Sequence, residues 1–159
     1  MTQIVVQVSD ARASADKSAA IVTYSLGSCI GAALYDPVAA VGGMLHHQLP
    51  SGSLDPEKAS RNPCMFADTG LAYVLAEMER LGANRRRIRV RLAGGAAMLD
   101  ASTSFAIGKR NHAAIRKALF QHGLFVDAEE VGGSVPRTMT LQIANGEVSI
   151  RTRGESHGI

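Results

Sequence analysis

Short apolar segments that end at glycine, proline or Asn-Gly pairs constrain the fold of this chain more than any other feature. The plainest case is Asn145-Gly146, which lies between the alternating segments Met139–Ile143 and Glu147–Arg151. Asn-Gly supplies the positive φ angles of a tight turn, so this stretch predicts a β-hairpin. The same kind of pattern predicts about eight strands in all, over residues 3–8, 20–24, 30–35, 41–48, 88–93, 124–131, 139–143 and 147–151.

Two segments show helical periodicity instead. Between Cys64 and Leu81, apolar side chains recur every three or four residues, and Gly82 marks the end of the predicted helix. A second helix is predicted around Ile115–Phe120, with Asn111 as its N-terminal cap. Strands at both ends of the chain and two principal helices predict an α+β fold, with the helices packed on mostly antiparallel sheets.

Length and composition predict a single domain over residues 1–159, with a frayed polar tail at 151–159 and a surface loop at 51–63. The chain is 46% hydrophobic and 19% charged, which is typical of a globular protein. No stretch approaches the ~20 apolar residues of a membrane span. Residues 1–10 lack the basic start and apolar centre of a signal peptide, and there are only two cysteines. We therefore expect a cytoplasmic protein without membrane insertion.

Basic residues are concentrated between positions 85 and 91, in a chain whose formal net charge is +3. The cluster consists of Arg85, Arg86, Arg87, Arg89 and Arg91. Two interpretations stay open: a solvated turn followed by the outward face of a strand, or a surface that attracts an acidic protein partner. Nucleic acid is not expected, because no aromatic side chain is interleaved with these arginines.

The segment from Thr23 to His46 carries the candidate chemistry. Cys29 is flanked by Gly27-Ser28 and by Gly31, and glycine lets backbone approach a substrate closely because it has no Cβ. His46 follows 17 residues later, which is room for one strand to leave the cysteine and another to return. Such a strand pair would place an imidazole beside a nucleophilic sulfur. Since side chains alternate along a strand, only one of His46 and His47 can face that sulfur.

Attack on a carboxamide requires a nucleophile, a proton donor for the leaving ammonia, a group that orients this donor, and donors for the oxyanion. We assign Cys29 as the nucleophile and His46 as the donor, which would also hold the thiolate as an ion pair. Thr23, at the end of the preceding strand, is the candidate partner of the other ring nitrogen. The backbone of Cys29 and its neighbours Ser28 and Gly27 is the candidate oxyanion and substrate-binding segment.

A zinc site formed by Cys29, His46, His47 and Cys64 is the competing arrangement. Neither cysteine has a second thiol two to four residues away, and the adjacent histidines face opposite sides of a strand. The chain also lacks a phosphate-binding loop. We therefore expect neither a metal nor a cofactor.

Six sequence blocks, in this order, resemble the chemoreceptor glutamine deamidases, the CheD family of bacterial chemotaxis proteins. They extend from about residue 21 to residue 150: Leu26-Gly27-Ser28-Cys29, Gly42-Gly43-x-x-His46-x-x-Leu49-Pro50, Phe66-Ala67-Asp68, Gly94-Gly95-Ala96-x-Met98, Ile107-Gly108-x-Arg110-Asn111 and Gly132-Gly133. The resemblance implies a layered α/β sandwich. It also implies a Cys, His and Thr at the positions of Cys29, His46 and Thr23, which convert receptor glutamines to glutamates.

The resemblance further implies two protein partners: the cytoplasmic helices of chemoreceptors, and a CheC-type phosphatase. Two other functions therefore stay open, a regulatory binding module for such a phosphatase and a glutamyl methyl ester hydrolase that uses the same site. One block departs from the family pattern, because Pro136 precedes Arg137 where the family commonly has glycine. Proline fixes φ and removes a backbone donor, so the local turn is expected to differ.

Overall fold

The computed structural model describes residues 2–97 and 101–159, and for residues 101–105 the backbone alone. Met98, the last residue of the fourth sequence block, lies outside the described residues. The strands are β1 Thr2–Val5, β2 Asp10–Ser14, β3 Ala19–Leu26, β4 Ile30–Asp36, β5 Val41–His47, β6 Arg89–Gly94, β7 Val126–Val131, β8 Arg137–Gln142, β9 Val148–Thr152 and β10 Glu155–Gly158. The α-helices are α1 Pro56–Arg61, α2 Ala67–Arg80 and α3 Ala101–Gln121. No helix in the described ranges is long and apolar enough to cross a membrane.

The strands form two five-stranded sheets. We call the sheet with strand order β1-β3-β8-β9-β10 the outer sheet, and the sheet with strand order β2-β5-β4-β6-β7 the central sheet. Six of the eight pairings between described strands are antiparallel; the β1–β3 and β6–β7 pairings are parallel. The prediction of mostly antiparallel strands is therefore confirmed.

Two apolar cores hold three layers together. One core lies between the two sheets and includes Ile21 and Met139 of the outer sheet and Met44 of the central sheet. The other lies between the central sheet and the helices, and includes Leu45 and Leu71. The predicted α+β sandwich is confirmed, and the two long helices α2 and α3 are its principal helices.

The central sheet is covered on both faces, and this explains the sequence of its middle strands. Every residue of β4 and β5 is buried. A strand with two buried faces reads as a continuous apolar run rather than an alternating one. His46 and His47 are therefore both interior side chains, one on each face.

Two strands of the structure, β2 and β10, were not predicted from the sequence. β2 has the sequence DARAS, which lacks β-branched and large apolar residues, and it pairs with β5 through main-chain bonds. β10 pairs with β9, and the N–H of Ile159 donates to Val148 O at 3.0 Å. The expected frayed tail is wrong for residues 155–158, because main-chain pairing holds polar side chains in a strand.

The segment 51–63 is not the irregular loop that its composition predicted. It contains a 3₁₀ turn at Gly52–Leu54 and helix α1. Asp55 caps α1 by accepting from Lys58 N at 3.1 Å, and a proline occupies the first helical position. Asp followed by Pro is a helix-start signal, but a helix of six residues is too short to show apolar periodicity.

The predicted start of the second long helix was also wrong. α3 begins at Ala101, ten residues before the predicted cap Asn111. Residues 101–110 contain two serines, a threonine and a glycine, and these obscure the helical pattern. Asn111 therefore lies in the middle of the helix, where its side chain is fully buried.

Candidate active site

Cys29 ends the short loop Gly27–Cys29, which joins β3 to β4. Its side chain is half-buried and packs against the core between the sheets. In the β4–β5 pairing, Gly31 lies opposite His46, and Cys29 precedes Gly31 by two residues. Because side chains alternate along a strand, Cys29 lies on the same face of the central sheet as His46, at the diagonal position.

A hydrogen bond between the two sheets orients His46. Thr23 Oγ1, on β3 of the outer sheet, lies 2.7 Å from His46 Nδ1, on β5 of the central sheet. The same hydroxyl donates to Val6 O at 2.8 Å. A hydroxyl group carries one proton, so Thr23 accepts from His46 and the proton of the imidazole must reside on Nδ1.

The other ring nitrogen, Nε2, therefore carries a lone pair. It is buried and has no hydrogen-bond partner within the described residues, Cys29 Sγ included. Catalytic hydrogen bonds are often long in unliganded sites and shorten when substrate binds. This tautomer makes Nε2 a proton acceptor on the face of the sheet that also carries the thiol.

Burial keeps both groups neutral. Desolvation lowers the pKa of His46 to about 4, although the charge of Asp10 opposes this shift. Desolvation also raises the pKa of the Cys29 thiol, against a smaller opposing effect of the hydrogen bond from its own backbone N–H. Burial thus disfavours the expected thiolate–imidazolium ion pair in the resting site, because it disfavours the charged form of each group.

Every carbonyl of the cysteine loop is held by a residue outside it. Ala96 N donates to Gly27 O at 2.8 Å, Asn111 Nδ2 donates to Ser28 O at 3.0 Å, and Gly95 N donates to Cys29 O at 2.9 Å. These donors come from the end of β6 and from α3. The loop that carries the thiol is thus anchored to the central sheet and to a helix.

The glycine pair after β6 makes this anchoring possible. Gly94 has φ of +110°, and a Cβ there would lie 2.2 Å from Cys29 O. Gly95 has φ of +60° and lies against Gly108 of α3. These two glycines therefore hold the cysteine loop.

The backbone N–H groups of the loop are left exposed to the site. In the described part of the chain, the N–H of Ser28 has no acceptor, and the N–H of Cys29 contacts only its own sulfur. Gly27 and Ser28 are both partly exposed. Two adjacent main-chain donors therefore lie next to the thiol.

His47 and Cys64 lie on the opposite, helix-facing side of the central sheet. His47 Nδ1 donates to Leu49 O at 3.3 Å, and desolvation lowers the pKa of His47 to about 3. Cys64 is part of the core beneath the helices, and burial raises its pKa to about 11. The four residues of the competing zinc site are thus divided between two faces of a sheet. Among the described residues, no group of three or more His, Cys, Asp or Glu side chains could hold a metal ion.

Two polar contacts of the site were missed by sequence analysis. Val6 O receives the Thr23 hydroxyl, and a backbone carbonyl leaves no sequence signal. Asn111 was assigned as a helix cap, whereas it donates from Nδ2 to Ser28 O and to Gln48 O, both at 3.0 Å. An asparagine at a helix-interior position that the apolar pattern assigns to the buried face would have been the available signal.

Within the arginine cluster, Arg87 lies at the end of β4 that is remote from Cys29, whereas Arg91 lies opposite Ala33 in the middle of that strand. Arg87 pairs with Asp36 at 2.8 Å, and Asp36 is the last residue of β4, whereas Cys29 immediately precedes its first. Arg85 pairs with Glu79 at 2.9 Å and contacts His122. These partners favour the structural interpretation of the cluster over the partner-binding one.

The loop that contains Pro136 is also connected to the site. Arg137 is buried; its Nε donates to Glu130 at 2.9 Å and its Nη1 to Gly94 O at 3.2 Å. Because Gly94 packs against Cys29 O, Arg137 stabilises the glycine turn that supports the cysteine loop.

Comparisons with known proteins identify the family of this chain. The family model described as "CheD chemotactic sensory transduction" matches residues 48–152. A Solibacter usitatus protein named "Probable chemoreceptor glutamine deamidase CheD" is 45% identical over 155 residues, which cover 98% of this chain and 92% of the relative. The chain belongs to the CheD family. A Syntrophus aciditrophicus protein named "Probable chemoreceptor glutamine deamidase CheD 1" is 40% identical, over 97% of this chain and 96% of the relative.

The CheD fold also resembles a solved structure outside these relatives. A Neisseria meningitidis protein of the family-model DUF152 superposes with a TM-score of 0.51 and 12% sequence identity, over 84% of this chain and 63% of that chain. At this identity the similarity concerns the fold alone.

We predict that acidification destabilises this CheD chain well above the pH at which carboxylates titrate. The folded pKa values of His46 and His47 lie below the ordinary value of 6.5. The unfolded state therefore binds more protons as the pH falls below 6.5, and the free energy of unfolding decreases by about 1.4 kcal/mol per pH unit for each histidine. Urea unfolding between pH 7 and pH 5 measures this slope.

The variant His47→Asn is the matched comparison. It removes one of the histidines whose folded pKa is lowered, so the slope between pH 6.5 and pH 5 should become shallower by the contribution of that one histidine, up to about 1.4 kcal/mol per pH unit. A stability that stays constant over this range in the wild-type protein would contradict the buried, neutral state of both side chains.

Proposed function

We propose that this protein deamidates glutamine side chains of chemoreceptors to glutamate, with Cys29 as the nucleophile and His46 as the general base and acid. The observation that carries the proposal is the hydrogen-bond chain His46 Nδ1–Thr23 Oγ1–Val6 O, which leaves the Nε2 lone pair on the face that carries Cys29. Membership of a family whose named relatives are chemoreceptor glutamine deamidases supports the choice of substrate.

The first step is attack of Cys29 Sγ on the carboxamide carbon. Because both groups are neutral at rest, the thiol proton moves to His46 Nε2 as the carbon–sulfur bond forms. The carbonyl oxygen becomes an oxyanion. The backbone N–H groups of Cys29 and Ser28, which adjoin the sulfur, are the donors for this charge.

The second step expels ammonia. The imidazolium donates its Nε2 proton to the amide nitrogen, the carbon–nitrogen bond breaks, and a thioester with Cys29 remains. Thr23 accepts from Nδ1 throughout, so the ring does not rotate while the proton crosses. The charge of Asp10, which lies opposite His46 in the β2–β5 pairing, favours the transient imidazolium.

Water then hydrolyses the thioester. His46 Nε2 takes a proton from the attacking water, and the same backbone N–H groups bind the second oxyanion. Collapse releases the glutamate carboxyl group and returns the proton to the sulfur. The reaction consumes one water and releases one ammonia, and it requires no cofactor.

The two other candidate functions are separable from deamidation by experiment. A glutamyl methyl ester would react at the same thiol, with methanol as an easier leaving group than ammonia. A binding module for a CheC-type phosphatase would not need the thiol. Incubation of a chemoreceptor cytoplasmic domain with the protein, followed by peptide mass spectrometry, tests all three functions. Deamidation adds about one mass unit to a receptor peptide per glutamine, and hydrolysis of a methyl ester removes about 14 mass units. A binding module leaves the peptide masses unchanged.

Removal of the thiol should abolish the activity but not the fold. We expect Cys29→Ala to reduce receptor deamidation below about one-thousandth of the wild-type rate, since no other group can form the thioester. Its melting temperature should change little, because the side chain is small and only half-buried. Cys64→Ser is the control and should retain the wild-type rate. Equal losses in both variants would mean that the wrong thiol has been assigned.

The two adjacent histidines should differ sharply. We expect His46→Ala to lower kcat by at least about 10²-fold, because it removes the group that we assign as base and acid for the thiol. His47→Ala should lower stability and leave kcat within a few-fold of wild type, because its side chain faces the helices. Steady-state kinetics measure kcat of both variants, and thermal unfolding measures their stability. An inactive His47→Ala with an active His46→Ala would overturn the site assignment.

Thr23 should contribute to turnover through the hydrogen bond of its hydroxyl group rather than through the volume of its side chain. We expect Thr23→Val, which keeps the volume and loses the acceptor, to reduce kcat by about 10-fold or more, since the imidazole loses the partner that fixes its tautomer. Thr23→Ser restores the hydroxyl and should recover most of the rate. Equal rates in the two variants would show that the hydrogen bond to Nδ1 plays no part in turnover.

A further inference from the structure

Asn111 is a fully buried amide in the middle of α3, and helix packing does not explain it. Its Nδ2 group donates to two backbone carbonyls, Ser28 O and Gln48 O, and its Oδ1 is buried without a hydrogen-bond partner in the described part of the chain. An unpaired buried acceptor is unfavourable, and an apolar side chain would suit the helix face better. The amide is therefore retained at a cost to stability.

The two carbonyls belong to the two segments of the candidate site. Ser28 immediately precedes the nucleophile Cys29, and Gln48 follows β5 two residues after His46. A single side chain thus connects the loop that carries the thiol to the end of the strand that carries the base. Of the three bonds to the cysteine loop, this is the only one made by a side chain, since Ala96 and Gly95 donate from their backbone.

The carbonyl that Asn111 holds belongs to the same peptide group as the N–H of Cys29. A trans peptide is planar, and its C=O and N–H point in opposite directions. Fixing Ser28 O therefore fixes the direction of the Cys29 N–H. This N–H belongs to the residue that carries the thiol, so its direction determines whether it can donate to an oxyanion formed at Sγ.

We propose that Asn111 is a positioning residue that aligns the oxyanion donor of Cys29, by holding the Ser28–Cys29 peptide plane through Ser28 O. The hydrogen bond to Ser28 O also polarises this peptide, which strengthens its N–H as a donor. Asn111 thus acts on the transition state without touching the substrate. The inference rests on the proposed acyl-transfer chemistry at Cys29.

The test compares two reactions of the same thiol. Acylation by p-nitrophenyl acetate passes through an oxyanion, whereas alkylation by iodoacetamide substitutes at a saturated carbon and forms none. All proteins carry Cys64→Ser, so that Cys29 is the only thiol. The nitrophenolate burst gives the acylation rate, and mass spectrometry gives the alkylation rate. Leu119→Val, a buried apolar change two turns further along α3, is the control for loss of helix packing.

We expect Asn111→Ala to slow acylation by about 10-fold or more and to change alkylation by less than about twofold, because removal of one oxyanion donor typically costs 10²–10³. Leu119→Val should change neither rate. If Asn111→Ala does not fold, Asn111→Ser, which keeps one donor, should show a smaller selective loss of acylation. A loss of both reactions by the same factor, or of neither, would overturn the inference.

Receptor deamidation, measured in parallel, separates this inference from the proposed function. A wild-type protein that is acylated by the ester but leaves every receptor glutamine unchanged would refute the deamidase proposal alone. The acylation-to-alkylation ratio of the Asn111 variants would still decide the role of Asn111. If deamidation is observed, Asn111→Ala should lower kcat with little change in KM, since the interaction is made only in the transition state.

Discussion

The hydrogen bond between Thr23 and His46 is the contact on which the site depends, and it exists only because two sheets are stacked. Thr23 belongs to the outer sheet and His46 to the central sheet, and their side chains meet at 2.7 Å. Neither sheet alone could define the imidazole tautomer. The apolar core between the sheets holds them in register, so the packing that stabilises the fold also determines which ring nitrogen carries the proton.

Burial rather than charge then determines the protonation states. Desolvation lowers the pKa of His46 and raises that of Cys29, so the resting pair carries no charge. The backbone supplies the polar groups that the chemistry needs: three anchored carbonyls hold the loop, and two N–H groups remain available beside the sulfur. In the proposed mechanism these backbone N–H groups stabilise the oxyanion.

The sequence predicted the parts of the fold that follow from local patterns. The hairpin at Asn145-Gly146, the helix before Gly82 and the opposite orientations of His46 and His47 all depend on residues that are close in the chain, and the structure contains each of them. β10 forms a hairpin with the neighbouring strand β9, but its polar, exposed side chains give no strand pattern. β2 could not be predicted, because main-chain pairing with a distant partner forms it. Asn111 was misplaced for the same reason: its two partners are backbone carbonyls 83 and 63 residues away in sequence.

The two ends of β4 separate the chemistry from the concentrated positive charge. Cys29 precedes the first residue of this seven-residue strand, and Asp36, which binds Arg87, is its last. A strand of that length spans about 20 Å. This exceeds twice the ~8 Å Debye length at physiological ionic strength, so the charge of Arg87 at the far end is largely screened from the thiol. Asp36 is itself fully buried: desolvation would raise its pKa, but Arg87 and three backbone N–H groups hold it low. The turn Arg85–Arg87 is thus attached to the fold by a buried carboxylate, whereas Cys29 is surrounded by the donors that anchor its loop from the end of β6 and from α3.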